Sequence, residues 1–333
     1  MEKHRYGRPG GREHRPEPDR QAQLNGMIES GVQALLSEMQ QGKSDRLSAY
    51  LAFSSRFHQY SLHNQLLIYS QKPEATRVAG YRTWQELGYQ VKRGEQAIHI
   101  FAPRPYTKTH EEQAVVEGNE ETKTTERSGV RFVSVPVFDS SQLADLDKKP
   151  LPAFWTPLPD DQQELTTRLE GVVRRDGIQL ADSRLLGAAQ GVSYGGRIDL
   201  QAGLDSRRRF LVLTHEYGHE LMHRGEDRDA LSRSLKECHA EAVSYIVAHH
   251  FGIHNPFSSD YLQHWGNTPE TLLAELSRVT TTASTIIDKL TPKEPASATP
   301  RRETTTRTTL PTAGEIFSNR PDNPDDYVQH PLF

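Results

Sequence analysis

The chain has 333 residues, enough for one large domain or two ordinary ones, with a hydrophobic fraction of 35% and a charged fraction of 25%. No stretch approaches the ~18 consecutive apolar residues of a membrane-spanning helix, and a single cysteine, Cys238, excludes an internal disulfide and any cysteine-built zinc cluster. The net charge of -4 conceals an asymmetry: residues 1–110 hold 16 Lys+Arg against 10 Asp+Glu, the remainder 24 against 34, so nucleic acid stays open as a partner of the N-terminal part.

In chain order, residues 1–20 are polar and rich in Arg, Gly and Pro, and read as a disordered arm. They lack the apolar core of a secretory signal, which makes a cytoplasmic protein the simplest expectation. A helical period runs through Leu24, Ile28, Val32, Leu35, Leu36 and Met39 and stops at Gly42. A second helix starts after Ser44-Asp45, and the helical pattern continues or restarts through Leu62, Leu66 and Leu67 until Pro73. Short strands are expected at Gly88–Val91 and Ala97–Phe101, joined by a hairpin-like Lys92-Arg93-Gly94-Glu95 turn, with a third at Phe132–Phe138. Residues 107–129, acidic and Thr-rich, read as a flexible insertion within a first domain spanning 21–150. Prolines 150, 152, 157 and 159 mark a boundary to a second domain, 151–290. That domain offers a helix at Gln162–Asp176, a strand near Gly191–Leu200, and helices near Phe210–Arg224, Ala230–His250 and Pro269–Leu290. From residue 291 to 333 the chain is a Thr/Pro-rich tail. The fold class expected is α+β.

The chemistry concentrates in His215-Glu216-Tyr217-Gly218-His219, an H-E-x-x-H motif behind the apolar run Phe210–Leu213. On a helix, positions i and i+4 share a face, so His215 and His219 can offer imidazole nitrogens to one divalent ion, Zn2+ being the first choice. Glu216 lies one residue round the helix, placed to act as general base on metal-bound water. A pair of histidines on a helix face is usually only solvated; the segment Glu237–Tyr245 alters that reading by supplying a third ligand. On a helical wheel Leu235, Cys238, Ala242, Tyr245, Ile246 and His249 form the apolar arc, with Glu241 at its border and Glu237 further towards solvent. Glu241 is therefore the expected third ligand, with Glu237 as its outer partner or substitute. His223 is expected to miss the ion, and Cys238 to be a small buried apolar residue. Ser193–Leu200 can act as an edge strand aligning an extended peptide or protein substrate, and Tyr194 or Tyr245 can steady an oxyanion.

With those residues in view, the chain resembles the ArdC-like antirestriction proteins, which join an N-terminal single-stranded-DNA-binding domain to a C-terminal zincin-like metallopeptidase domain. The resemblance runs from about Tyr50 to Leu290, outside the acidic insertion. It rests on Tyr60–Ile68 (YSLHNQLLI), Gln71–Thr76, Val78–Trp84 (VAGYRTW), Val91–Glu95 and Val137–Gln142 (VFDSSQ) in the first part, and on His215-Glu216, His219 and Glu241-Ala242 in the second. The second part also resembles the ImmA/IrrE group, in which a Glu on a later helix completes an H-E-x-x-H site. The resemblance implies antirestriction activity with single-stranded DNA as partner. The rivals are a regulatory metalloprotease that cuts a repressor and a DNA-binding protein with a purely structural zinc. For the DNA side, Tyr60, Tyr81 and Trp84 are candidates to stack on bases, Arg77, Arg82, Lys92 and Arg93 to meet phosphates, and Asn64 and Gln65 to hydrogen-bond bases or backbone.

Overall fold

The computed structural model describes residues 20–116, 119–144, 146, 148–151, 162–223, 230–255, 265 and 267–291. The N-terminal arm up to residue 19, prolines 152, 157 and 159, His264 and the tail from 292 lie outside the described residues.

Three helices open the fold: α1 (Arg20–Gln40), α2 (Asp45–Arg56) and α3 (Leu62–Gln71). The six apolar residues read as the stripe of α1 are its buried residues. The helix ends where Gly42 takes φ +72°, a left-handed conformation that costs glycine nothing. The short β1 (Val78–Ala79) and α4 (Tyr81–Glu86) follow, then β2 (Ile98–Val116) and β3 (Asn119–Asp139).

β2 and β3 pair antiparallel without a break in register from Ile98↔Val137 to Val116↔Asn119. The segment 107–129, expected as a flexible insertion, thus continues the two strands as the outer part of a long ribbon. The inner part meets the core through Ile98, Ile100, Ala102, Val135 and Val137. The strand expected at Gly88–Val91 is not formed; Val91 makes a single bridge to Leu143, and Lys92 N–H is bonded to Gln142 O instead of closing a hairpin.

The second half runs α5 (Gln162–Arg175), β4 (Gln179–Ser183), β5 (Gly191–Ser193), β6 (Arg197–Gln201), α6 (Ser206–Met222), α7 (Arg233–His250) and α8 (Pro269–Leu290). Its sheet has the order β4-β6-β5, with β4 parallel and β5 antiparallel to β6. The single strand expected near Gly191–Leu200 is therefore a hairpin turning at Tyr194–Gly196. Side chains fix where the functional helices begin: Asp205 accepts Arg208 N–H at 2.9 Å, and Ser232 accepts Leu235 N–H at 3.2 Å. At α8, Thr268 and Thr271 cap each other's backbone and Pro269 opens the first turn.

One hydrophobic core runs from α1–α3 through the inner ribbon to α5–α8, and is continuous across the expected boundary near residue 150. α7 is its axis, packed against α6, α8 and α2. The fold is α+β, and among the described residues no helix is long and apolar enough to cross a membrane.

Candidate metal centre

α6 delivers the motif. Its face towards the core is held by Phe210, Leu213 and Tyr217, and the Tyr217 hydroxyl bonds Asp176, which also takes Lys289 Nζ at 2.6 Å. A Cβ built on Gly218 would lie 3.5 Å from Ala240 Cα, so this position brings α6 and α7 into close backbone contact. The opposite face of α6 carries His215 and His219 towards α7 across a cleft of about 1200 Å3.

His215 Nε2 lies 3.2 Å from His219 Nε2 and 3.3 Å from Glu237 Oε2, and His219 Nε2 is 3.5 Å from the same carboxylate oxygen. Zinc bonds of about 2.0–2.1 Å at the tetrahedral angle place donor atoms about 3.3 Å apart. The three donors thus form one face of a coordination tetrahedron, and the residues present fit a divalent ion.

The carboxylate in that triangle belongs to Glu237. Glu241, the ligand expected from the wheel, sits on the other side of the His215 ring, its Oε2 3.8 Å from Nδ1. The wheel assumed one buried face for α7. In fact His239, Ala240 and Val243 are buried along with Cys238, Ala242 and Ile246, because neighbours surround the helix. The face read as solvent is the cleft wall.

Charge in the cleft is strongly coupled. Burial pulls the His215 imidazole down, but its bond to Glu237 and the charges of Glu216, Glu237 and Glu241 outweigh this and raise it above its ordinary value. The bonds from His215 and His219 hold the Glu237 carboxyl well below the carboxylate range. Glu216 is buried, and burial raises its carboxyl against the opposing charges of His215 and His219. Burial also pushes the Cys238 thiol up to about 12, as suits a packed, inert residue.

β5 passes directly over Glu216. A Cβ on Gly191 would come within 2.6 Å of Val212 Cγ1 and 2.7 Å of Glu216 Cγ, so only glycine allows this approach. One turn on, the fully buried Glu220 accepts Ser193 Oγ–H at 2.6 Å, Gly195 N–H at 2.7 Å and Gly196 N–H at 2.6 Å. Both glycines have positive φ, so their two N–H groups converge on one carboxylate. The hairpin is therefore clamped to the helix that carries the H-E-x-x-H motif. Sequence reading missed Glu220; the signal was its i+4 spacing from Glu216 opposite the Gly195-Gly196 pair. Neither Tyr194, exposed at the turn, nor Tyr245 lines the cleft.

Behind the donors, His223 and His239 are buried, and burial, with His219 and His239 nearby, pushes the His223 imidazole down to about 3. His223, expected to miss the ion, has its Nδ1 3.1 Å from Nδ1 of His219 and lies outside the His215–His219–Glu237 group.

The DNA-side candidates separate into two groups. Trp84 is 0% exposed with Nε1–H bonded to Phe138 O at 2.8 Å, which removes it from base stacking. Asn64 is buried and spent on β2, donating to Phe101 O at 2.8 Å and accepting Phe101 N–H at 2.9 Å. Tyr60 and Gln65 are likewise buried and bonded to backbone. Of the others, Tyr81, Lys92 and Arg77 contact the Phe138–Gln142 turn. Tyr81, 40% exposed, meets Phe138 edge-on and accepts Gln90 Nε2–H; Lys92 Nζ bonds Ser141 O; half-buried Arg77 is tied by its backbone to Asp139 and Ser140. Arg82, paired with Glu86, and Arg93 are exposed.

Comparison with known proteins bears on the first half. Residues 21–138 match the family model of the N-terminal domain of anti-restriction factor ArdC. The uncharacterized protein pXO2-81 of Bacillus anthracis is 26% identical over 274 residues, covering 72% of this chain and 46% of that protein, so the chain spans less than half the length of this relative. The antirestriction ArdC protein from plasmid R388, solved metal-free and Mn(II)-bound, aligns at 16% identity with a TM-score of 0.44 over 79% of this chain and 96% of that one.

Proposed function

We propose that the chain is a cytoplasmic antirestriction-type protein that binds single-stranded DNA through its first half and carries a divalent-metal peptidase centre, with zinc as the metal, in its second. The observation carrying the second part is the His215–His219–Glu237 triangle, with tetrahedral edge lengths, beside the buried Glu216. Two imidazoles and a carboxylate suit zinc and leave a fourth position open. Bound there, a divalent ion supplies Lewis acidity and acidifies water. Glu216, its carboxyl raised by burial, is suited to take up a proton and return it to a leaving amine. Glu241 stands where it can orient His215 through Nδ1.

A polypeptide substrate is supported by β5, an edge strand with one paired neighbour, whose residues line the cleft over Glu216. The rim supports acidic character in that substrate. Arg207 and Arg208 open α6, Arg233 opens α7, and neither first turn holds an acidic residue, although cations are disfavoured at helix N-termini. On the DNA side, support comes from the match of residues 21–138 and from the exposed Tyr81, Arg82, Lys92 and Arg93.

The test is Glu216→Gln in the full chain, with bound zinc measured beside cleavage of a mixed peptide library by mass spectrometry. The variant should keep its metal and lose cleavage by about 10^2–10^4-fold. Unchanged function would leave the metal a structural role only.

A further inference from the structure

We infer that the Glu275–His239 ion pair and the hydrogen bonds joining His239, His223 and His219 fix the His219 ring with Nδ1 protonated and Nε2 free to coordinate. The inference rests on the metal-centre reading above.

These contacts cross three helices. His219 Nδ1 lies 3.1 Å from His223 Nδ1, both on α6. His223 Nε2 lies 3.1 Å from His239 Nδ1 on α7, with the two ring planes within 18° of each other. His239 Nε2 and Glu275 Oε2 on α8 form an ion pair at 2.7 Å that is off hydrogen-bond alignment, and neither atom has a hydrogen-bond partner. His223 and His239 are both essentially inaccessible, and the edge of Trp265 packs against His239.

Proton counting gives these contacts a direction. An ionised carboxylate only accepts, so at 2.7 Å the proton must be on His239 Nε2; two lone pairs at that distance would repel. With His239 holding that single N–H, its Nδ1 accepts, and His223 Nε2 donates to it. His223 Nδ1 then accepts in turn, and the donor is His219 Nδ1. The remaining nitrogen, His219 Nε2, keeps its lone pair, and it is the atom facing His215 Nε2 and Glu237. Glu275 thus sets a tautomer three rings away without touching the metal donors. Burying two extra imidazoles beside a half-buried carboxylate costs stability that an apolar filling would not, which points to a use for the arrangement. His215 has a shorter device for the same end, since Glu241 itself faces its Nδ1.

The experiment combines two readouts on the full-length protein. Nitrogen-15 spectra of histidine-labelled, metal-free wild type should show His219 as the Nδ1–H tautomer, and Glu275→Leu should turn it into a tautomer mixture. Zinc affinity, from competition with a chromogenic chelator, should fall about 10–100-fold in Glu275→Leu and in His239→Phe. The double variant should lose no more than either single one, and Glu275→Gln, whose amide oxygen still accepts, should recover most of the affinity. An Nε2–H tautomer of His219 in the wild type, which no folding defect can mimic, overturns the inference. So does a folded Glu275→Leu with unchanged zinc affinity and tautomer. If the wild type holds no zinc yet shows the stated tautomer, the metal reading fails and the proton arrangement stands.

Discussion

Buried polar side chains are used differently around the His215–His219–Glu237 cluster and around the Phe138–Gln142 turn. At the turn most bonds go to backbone: Asp139 accepts the N–H groups of Thr76, Arg77 and Ser141, and Gln142 binds Asp139 N–H and Gln96 O, while Gln142–Glu95 and Thr76–Ser140 join side chains in pairs. Asn64 and Gln65 hold a strand and a loop in the same way. Between α6 and α7, by contrast, side chains face one another, and nitrogens of two rings and one carboxylate converge on a shared point. Burial alone distinguishes nothing here. What separates a scaffold from a site is whether the polar atoms are consumed by backbone or aimed together at a place where a ligand fits.

The largest effect is expected where a side chain is consumed by the fold. Trp84→Ala should destabilise the protein by about 3–5 kcal/mol in urea unfolding, the cost of a buried aromatic plus its cavity. If folded Trp84→Ala instead lost single-stranded DNA binding at unchanged stability, the scaffold assignment would be wrong.

At the converging site the expected loss is in metal affinity. Dividing ~10–16 kcal/mol of zinc binding over four ligands gives about 3–4 kcal/mol each, so His219→Ala or Glu237→Gln should weaken zinc roughly a hundred- to thousandfold. Glu241→Gln, acting only on the ring nitrogen turned away from the donors, should cost about tenfold. Metal analysis that reversed this order would restore Glu241 as the ligand.

The junction of the two halves offers a pH test. His250 Nδ1 on α7 bonds Ser55 O on α2, and burial, with His58 beside it, pushes its imidazole down to about 4 against the weaker raising effects of that bond and of Asp288. The folded state favours the neutral ring. Its stabilisation is therefore complete above about pH 6.5, where the unfolded ring titrates, and is lost as pH falls towards 4, on the order of 3 kcal/mol. Urea midpoints between pH 7 and 4.5 should fall less steeply in His250→Gln than in the wild type.

These contrasts also explain what could be read in advance. The helices carrying His215, His219 and the α1 stripe were legible because an i, i+4 pattern needs one element and no neighbours. The choice between Glu237 and Glu241 was not, since it depends on α7 having partners on several sides, and a wheel drawn from one strand of sequence supplies a single buried arc. Gln179–Ser183 escaped notice as β4 because its half-exposed residues show no clean alternation. Blocks such as YSLHNQ and VFDSSQ were legible as motifs but not as scaffold: Ser61 caps α3 and Asp139 with Gln142 caps the turn locally, while Asn64 pins β2, a relation between distant segments.

The smallest effects belong to the surface where DNA is proposed to bind, and they decide whether that half of the comparison also contains a site. Tyr81 is held rigidly by Phe138 and Gln90 yet leaves its ring accessible, so Tyr81→Ala should cost about 1–3 kcal/mol of oligo-dT binding, the value of one stacked base, with little change in stability. Arg93, exposed on the neighbouring turn, should contribute through charge alone. Arg93→Ala is then expected to reduce the slope of log K against log salt by about 0.7, one single-strand phosphate contact, and to do so equally for every base sequence. Duplex binding as strong as oligo-dT binding, or a salt slope untouched by Arg93→Ala, would show that this turn is scaffold as well, and that DNA, if bound, is held elsewhere.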